Sequence, residues 1–258
     1  MTDTATAGGE AIRGENLVKA FGHVTALAGV SIRVNRGETL GILGDNGAGK
    51  STLIKILTGY HQPDAGQVYV DGRSVRLDSV DEARALGIEC VYQDLALVNA
   101  ISVYHNMFLN RELLRGGPLR LLNHKEMRRR AAQALAEIGV DIPSVEVEVG
   151  TLSGGQRQAI AVARAVYSDA RILLLDEPLA AMGAREARLI IGLIDRLKAR
   201  GDIAIVMIAH NYAQTLEICD RIMLMQHGEV TFESAAATTS AEQLLDIVRR
   251  EYRAARAG

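Results

Sequence analysis

An eight-residue run, Gly44-Asp45-Asn46-Gly47-Ala48-Gly49-Lys50-Ser51, constrains this chain more than any other feature. It fits the pattern G-x-x-x-x-G-K-[ST]. It stands between an apolar run at residues 39–43, which reads as a buried strand, and a helical pattern over residues 50–57. Glycines let the backbone curl so that successive N–H groups point inward, and the start of the helix adds its partial positive charge. Such a loop cradles phosphate. Lys50 is expected to reach the β- and γ-phosphates of a nucleotide and the Ser51 hydroxyl to ligate Mg2+, with Thr52 beside them in the first helical turn.

A strand–loop–helix unit of this kind calls for an α/β core. Two further aliphatic runs, at residues 171–175 and 204–208, suit strands covered on both faces of a largely parallel sheet. The middle, residues 94–149, has a mostly helical texture, clearest over 102–109 and 123–138. Lys125, Arg128, Arg129 and Arg130 gather on the second of these helices, as a solvated charged face or as a binding patch. Another helical pattern over residues 241–252 places Leu244, Leu245 and Val248 on one face, to pack on the core or on a partner. Residues 1–10 and those from Arg253 onward read as frayed ends.

Composition narrows the field. A chain of 258 residues can bury a substantial core. Its net charge of −2 provides no electrostatic footprint for nucleic acid, so no nucleic-acid partner is expected. Cys90 and Cys219 lie in apolar surroundings without a Cys or His at metal-ligand spacing; they read as core residues of a reduced, intracellular chain, the alternative being a reactive thiol. The longest apolar run, residues 203–209, is far short of the roughly 20 residues a spanning helix needs. Residues 1–10 have neither the basic start nor the apolar stretch of a signal peptide. If the chain works at a membrane, another chain recruits it.

The strand at 172–175 ends in Asp176-Glu177-Pro178. Adjacent carboxylates at the end of a buried strand are costly unless they serve an ion or a water. Asp176 suits Mg2+, through its water shell, and Glu177 suits activation of an attacking water. Further back, Leu152-Ser153-Gly154-Gly155-Gln156 opens a helix, with Ser153 a natural cap.

Over about residues 15–234 these motifs, in this order, resemble the ATP-binding cassette (ABC) ATPases. The resemblance implies an α/β P-loop NTPase core with an N-terminal antiparallel β-subdomain and an inserted helical subdomain. One domain would cover 11–240, with core segments 11–93 and 150–235 and the helical subdomain at 94–149 running into the signature helix; 241–258 would form a C-terminal helix and tail. Phe21 resembles the aromatic residue that stacks on adenine, its alternative being a core phenylalanine. Gln93 resembles the glutamine that joins core to helical lobe and contacts Mg2+, and His210 the switch histidine at the γ-phosphate. In the family, Ser153, Gly154, Gly155 and Gln156 form the signature facing ATP held by a second subunit. One loop and one signature per chain imply a head-to-tail dimer, a homodimer being the expected form.

One departure stands out. Where most members read Ser-Ala-Leu-Asp after the paired carboxylates, this chain reads Leu179-Ala180-Ala181-Met182-Gly183, with Gly183 in place of the aspartate that helps couple the two sites. The phrases Val91-Tyr92-Gln93-Asp94 and His210-Asn211-Tyr212-Ala213 resemble ATP-binding subunits of monosaccharide importers, of the single-cassette branch associated with fructose and similar sugars. That resemblance implies an ATPase peripheral to the cytoplasmic face of the membrane, bound to permease subunits and acting indirectly with a solute-binding protein. A soluble ABC-type ATPase acting on nucleic acid or ribosomes is the alternative.

Overall fold

The computed structural model describes residues 9–116, 120–180 and 182–257, with side chains described through Glu251. The readings of residues 1–8 and of Ala181 lie outside these. In chain order the elements are β1 (Glu10–Phe21), β2 (Val24–Asn35), β3 (Thr39–Leu43), α1 (Lys50–Leu57), β4 (Ala65–Val70), β5 (Arg73–Val75), α2 (Val80–Ala85) and β6 (Ile88–Val91). There follow α3 (Val103–Met107), α4 (His124–Glu137), α5 (Gly154–Tyr167), β7 (Ile172–Asp176), α6 (Ala184–Arg200), β8 (Ala204–Ile208), α7 (Tyr212–Ile218), β9 (Arg221–Gln226), β10 (Glu229–Ala235) and α8 (Ala241–Ala257).

Two sheets organise the described residues. The first is antiparallel, in the order β2-β1-β4-β5, and is the expected N-terminal β-layer. The second runs β10-β9-β3-β8-β7-β6, with β9, β3, β8, β7 and β6 parallel and β10 closing the edge as a hairpin partner of β9. Strands β3 and β8 are buried at every position, which is why they read as unbroken aliphatic runs rather than alternating ones. One apolar core lies between the two sheets and α1, with Ile12, Leu40, Ile54 and Val206 among its members. A second joins the opposite face of the parallel sheet to α3, α4, α5 and α6, with Phe108, Met127, Ile160 and Leu193. Gly41 of β3 permits that face to close, because a Cβ there would lie 2.9 Å from the Cys219 sulfur.

Several expectations shift in detail. The helical pattern over 102–109 shortens to α3, and Arg171 precedes β7 rather than opening it. The helix α8 continues to Ala257, past the point where fraying is expected. Its Leu244 is fully buried in the core while Ile247 and Val248 pack partly against it, so this helix belongs to the core rather than to a partner. The basic cluster on α4 is a solvated face: Arg129 and Arg130 pair with Glu126 at 2.6 and 2.7 Å, and Arg128 pairs with Glu146 at 2.7 Å. Those two arginines hold the Glu126 carboxyl down at about 2. Cys219 is buried and burial pushes its thiol up to about 12, while burial also raises Cys90; neither is activated for reaction.

Candidate functional site

Parallel strands share one carboxyl-terminal edge, and loops leaving that edge gather the chemistry. Along the order β3-β8-β7-β6 stand the phosphate loop after β3, His210 beyond β8, Asp176 and Glu177 at the end of β7, and Gln93 beyond β6. Register fixes the neighbours: Asp176 lies opposite Ile208, and Val91 opposite Leu175.

The phosphate loop bends as only glycine allows. Gly44 and Gly49 have φ of 146° and 101°, and a Cβ on either would run into a carbonyl oxygen, that of Met225 or of Ala26. The β9–β10 turn braces the loop from outside, where Gly228 N–H donates to the Ala48 carbonyl at 3.1 Å. Asp45, Asn46, Gly47 and Ser51 are exposed, whereas Ala48 and Lys50 are buried. Lys50 Nζ donates to the Gly44 and Asp45 carbonyls at 2.7 and 2.9 Å. Burial lowers the Lys50 pKa, against the opposing pull of Glu177, Asp45 and Asp176. The lysine is therefore poised inside its own loop, and phosphate oxygens would offer it a stronger counter-charge than two carbonyls.

Asp176 is the mirror case. Burial first, and Glu177 beside it second, hold its carboxyl above the usual carboxylate range, with Lys50 the chief opposing charge. Glu177 follows at φ 52°, a left-handed conformation costly for a side-chain-bearing residue, and its N–H donates to the Ile208 carbonyl at 3.1 Å. The strain turns the carboxylate out of the strand and onto His210, whose Nε2 lies 2.6 Å from Glu177 Oε1. Both residues line a cleft of about 310 Å³ with Leu179, Met182, Asn211 and Gln214.

Oxygen donors dominate here. Ser51, Asp176 and Gln93 are the chemistry Mg2+ takes, and among the described residues no group of three His, Cys, Asp or Glu forms an all-protein metal cage. That combination fits an ion completed by phosphate oxygens and water, as Mg2+ bound with a nucleotide usually is.

Phe21, at the end of β1, is 45% exposed, so the core alternative falls. Its ring meets the edge of His61 at 5.2 Å and lies 5.6 Å from Lys19 Nζ, leaving an aromatic surface open to solvent. Gln93 is exposed too. The structure thus brings together Lys50, Asp45, Asp176, Glu177 and His210, with Gln93 on the adjoining strand end.

Ser153 to Gln156 stand apart from that group, at the start of α5. Ser153 Oγ accepts from Gln156 N–H at 3.2 Å while Gln156 Oε1 accepts from Ser153 N–H at 3.1 Å, a reciprocal capping box. Outward bonds of this turn run to the Asp141 carbonyl and to Glu186, whose Oε1 accepts from Gly155 N–H at 3.3 Å. Glu186 also accepts from Gly183 N–H at 3.4 Å, tying the signature to the segment after the paired carboxylates. Sequence reading missed Glu186; its one signal is its place in the first turn of α6.

Known proteins share this chain's sequence and fold. A family model described as ABC transporter matches residues 27–180. The chain is 44% identical over 230 residues to the xylose/arabinose import ATP-binding protein of Sulfolobus acidocaldarius, covering 89% of this chain and 90% of that one. The fructose import ATP-binding protein of Rhizobium meliloti is 42% identical, with 82% and 83% covered. A ribose import ATP-binding protein of Bacillus licheniformis is 39% identical over 84% of this chain, which spans 43% of that longer protein. Among solved structures, the ADP conformation of an ATP-binding cassette of an ABC transporter superposes with a TM-score of 0.81 at 28% identity, covering 93% and 98%. A dimeric post-hydrolysis cassette bound to ADP and phosphate gives 0.72 at 27% identity, covering 87% and 98%.

Proposed function

The chain belongs to the ABC transporter ATPase family, and from that premise we propose that it is the ATP-hydrolysing subunit of a monosaccharide importer, driving uptake through a separate membrane permease. The observation that carries this reading is the 44% identity, over nearly all of both chains, to a xylose/arabinose import ATP-binding protein. Fructose and ribose import relatives support the sugar class, and no relative reported above is named for nucleic acid or ribosomes. No helix among the described residues is long and apolar enough to cross a membrane. In this reading the subunit sits against its permease on the cytoplasmic face. A solute-binding protein would act with the complex only indirectly.

Two copies bind head to tail, each phosphate loop facing the other chain's signature. The backbone N–H groups of Gly44 to Ser51, with Thr52 beside them, take the phosphates, and Phe21 stacks on adenine. Lys50 leaves its two carbonyls to neutralise the phosphates. Ser51, Asp176 and Gln93 would hold Mg2+, which when bound would supply charge neutralisation at the phosphates. Glu177 takes the proton of the attacking water, and His210, whose Nε2 lies 2.6 Å from that carboxylate, stabilises the γ-phosphate. From the partner, Ser153, Gly154, Gly155 and Gln156 close over the nucleotide and exclude water. Residues 94–149 would act as a helical subdomain that moves with the permease while 11–93 and 150–235 form the ATP-binding core.

The test is co-purification of the tagged chain from detergent-solubilised membranes, followed by ATPase assay of the recovered complex in proteoliposomes. A polytopic membrane protein and sugar-stimulated hydrolysis are the expected outcome. Recovery with ribosomal or nucleic-acid partners instead overturns the importer reading and leaves the ATP chemistry standing.

A further inference from the structure

Arg164 lies just over two turns along α5 beyond Gln156, on the side facing the loop that follows Gln93. Its Nη1 donates to the Ala96 carbonyl at 2.9 Å and its Nη2 to the Leu95 carbonyl at 3.0 Å. One planar guanidinium thus grips two successive peptide groups. The gripped backbone is itself unusual: Ala96 has φ 49°, a left-handed turn that a side-chain-bearing residue adopts only under constraint. Asp94 Oδ1 accepts from Ala96 N–H at 3.4 Å, closing the same turn from within. On its far side the loop is anchored by Asn106, fully buried, whose amide bonds Val98, Ile101 and Ser102.

The neighbouring charges explain what Arg164 is not doing. Glu89, the carboxylate whose charge acts on it, is already engaged by Arg111 at 2.8 Å and Arg84 at 3.7 Å. Arg164 therefore brings a desolvated cation to neutral carbonyls. That arrangement is a poor source of stability, since an apolar side chain would fill the space without the desolvation cost. It is a good source of position, because two fixed bonds define the orientation of a short peptide segment. Eight residues of continuous helix separate Gln156 from Arg164, about 12 Å at the helical rise. A regular helix over that distance transmits a displacement of its N-terminus with little loss.

We propose that Arg164 is a positioning residue which sets the Gln93 loop from the signature helix, so that engagement of Ser153–Gln156 by the partner's nucleotide is relayed to Gln93 in the same chain. The relay rests on the reading of Gln93 and the signature as nucleotide-site elements. It deepens that reading by naming the link between the two half-sites of one polypeptide.

The test is a double-mutant cycle in the full chain, with ATP hydrolysis resolved into kcat and KM and with amide hydrogen exchange over residues 93–100. Arg164→Gln is expected to lower kcat about tenfold with little change in KM, to accelerate exchange in the loop without nucleotide, and to add nothing further in a Gln93→Ala background. Arg164→Lys is expected to recover only part of the loss, since one ammonium does not span both carbonyls, and it carries the test if Arg164→Gln folds poorly. The structural control is Arg196→Gln: Arg196 similarly caps the Ile138 and Gly139 carbonyls at 3.1 and 3.2 Å, at the end of α4. It should lower Tm with kcat intact. An unchanged kcat for Arg164→Gln, or a loss fully additive with Gln93→Ala, overturns the relay. If Gln93→Ala is itself silent, the Gln93 assignment fails and the relay falls with it.

Discussion

At the phosphate loop the backbone is strained and the charges are crowded. Gly44, Gly47 and Gly49 all have positive φ, Lys50 is desolvated, and Asp176 is forced toward its protonated form by burial beside Glu177. At the signature, Ser153 and Gln156 cap an ordinary helix, and neither end of the turn strays from regular geometry. In the function proposed, one half-site carries its role as local electrostatic tension that a ligand would relieve. The other carries nothing that an isolated chain would reveal, since a capped helix start acquires meaning only opposite another molecule's phosphate. The difference teaches that damage should be local and chemical at the first half-site, and transferable between chains at the second.

The largest expected effect breaks the chemistry alone. Glu177→Gln keeps the size and the left-handed backbone but removes the base, so ATP turnover should fall by about 100-fold or more while ATP still binds. Measured single-turnover rates and equilibrium binding separate the two; turnover close to the parent's would remove Glu177 from the role of base.

Next comes the exchange between chains. Lys50→Met and Ser153→Arg should each abolish activity in a homodimer. An equal mixture of the two pairs an intact loop with an intact signature at one site in half of the dimers, and should recover about a quarter of the parental sites. Activity of the mixture no higher than the background of the separate variants would show that loop and signature do not meet across chains.

How much of this was legible beforehand follows the same contrast. Strands β3 and β8 and the helix α1 were readable to the residue because burial on both faces leaves an uninterrupted aliphatic signal. Lys50, Ser51, Asp176 and Glu177 stood out as candidates because the chemistry proposed for them needs fixed types at fixed spacing. Whether Phe21 is buried, and which way α8 packs, depends on neighbours distant in the chain, and only the folded structure supplies them. Arg164 and Glu186 escaped for a related reason: each acts through main-chain atoms remote in sequence, and backbone carbonyls and N–H groups leave no mark in a sequence.

A smaller effect tests the tension directly. The raised Asp176 pKa means that its contribution to stability is fully present below the unfolded value of 3.8 and is lost as pH rises through the higher folded value. At neutral pH the ionised group is thus a liability of the nucleotide-free chain. Asp176→Asn should raise Tm at pH 7 while abolishing hydrolysis, and the Tm advantage should shrink as pH is lowered toward 4. A variant that melts lower at pH 7 would mean the carboxylates are not in conflict.

The smallest effect concerns Gly183, where an aspartate is usual in the family. It caps α6 at φ −70° and ψ 161°, an extended conformation open to any residue, and a Cβ built there meets nothing within 4 Å. Nothing in this chain's own packing therefore demands glycine. Aspartate is a good N-cap, and its charge suits the helix N-terminus, though Glu186 already accepts from the Gly183 N–H. Gly183→Asp should therefore gain only a few tenths of a kcal/mol, about 1 °C in Tm for a chain of this size. If the missing carboxylate normally links the two sites, the same variant should steepen the ATP dependence of hydrolysis in the dimer. A raised Tm with an unchanged Hill coefficient would assign the glycine to this chain's own helix cap alone, and would leave coupling between the sites to other contacts, the Arg164 link among them.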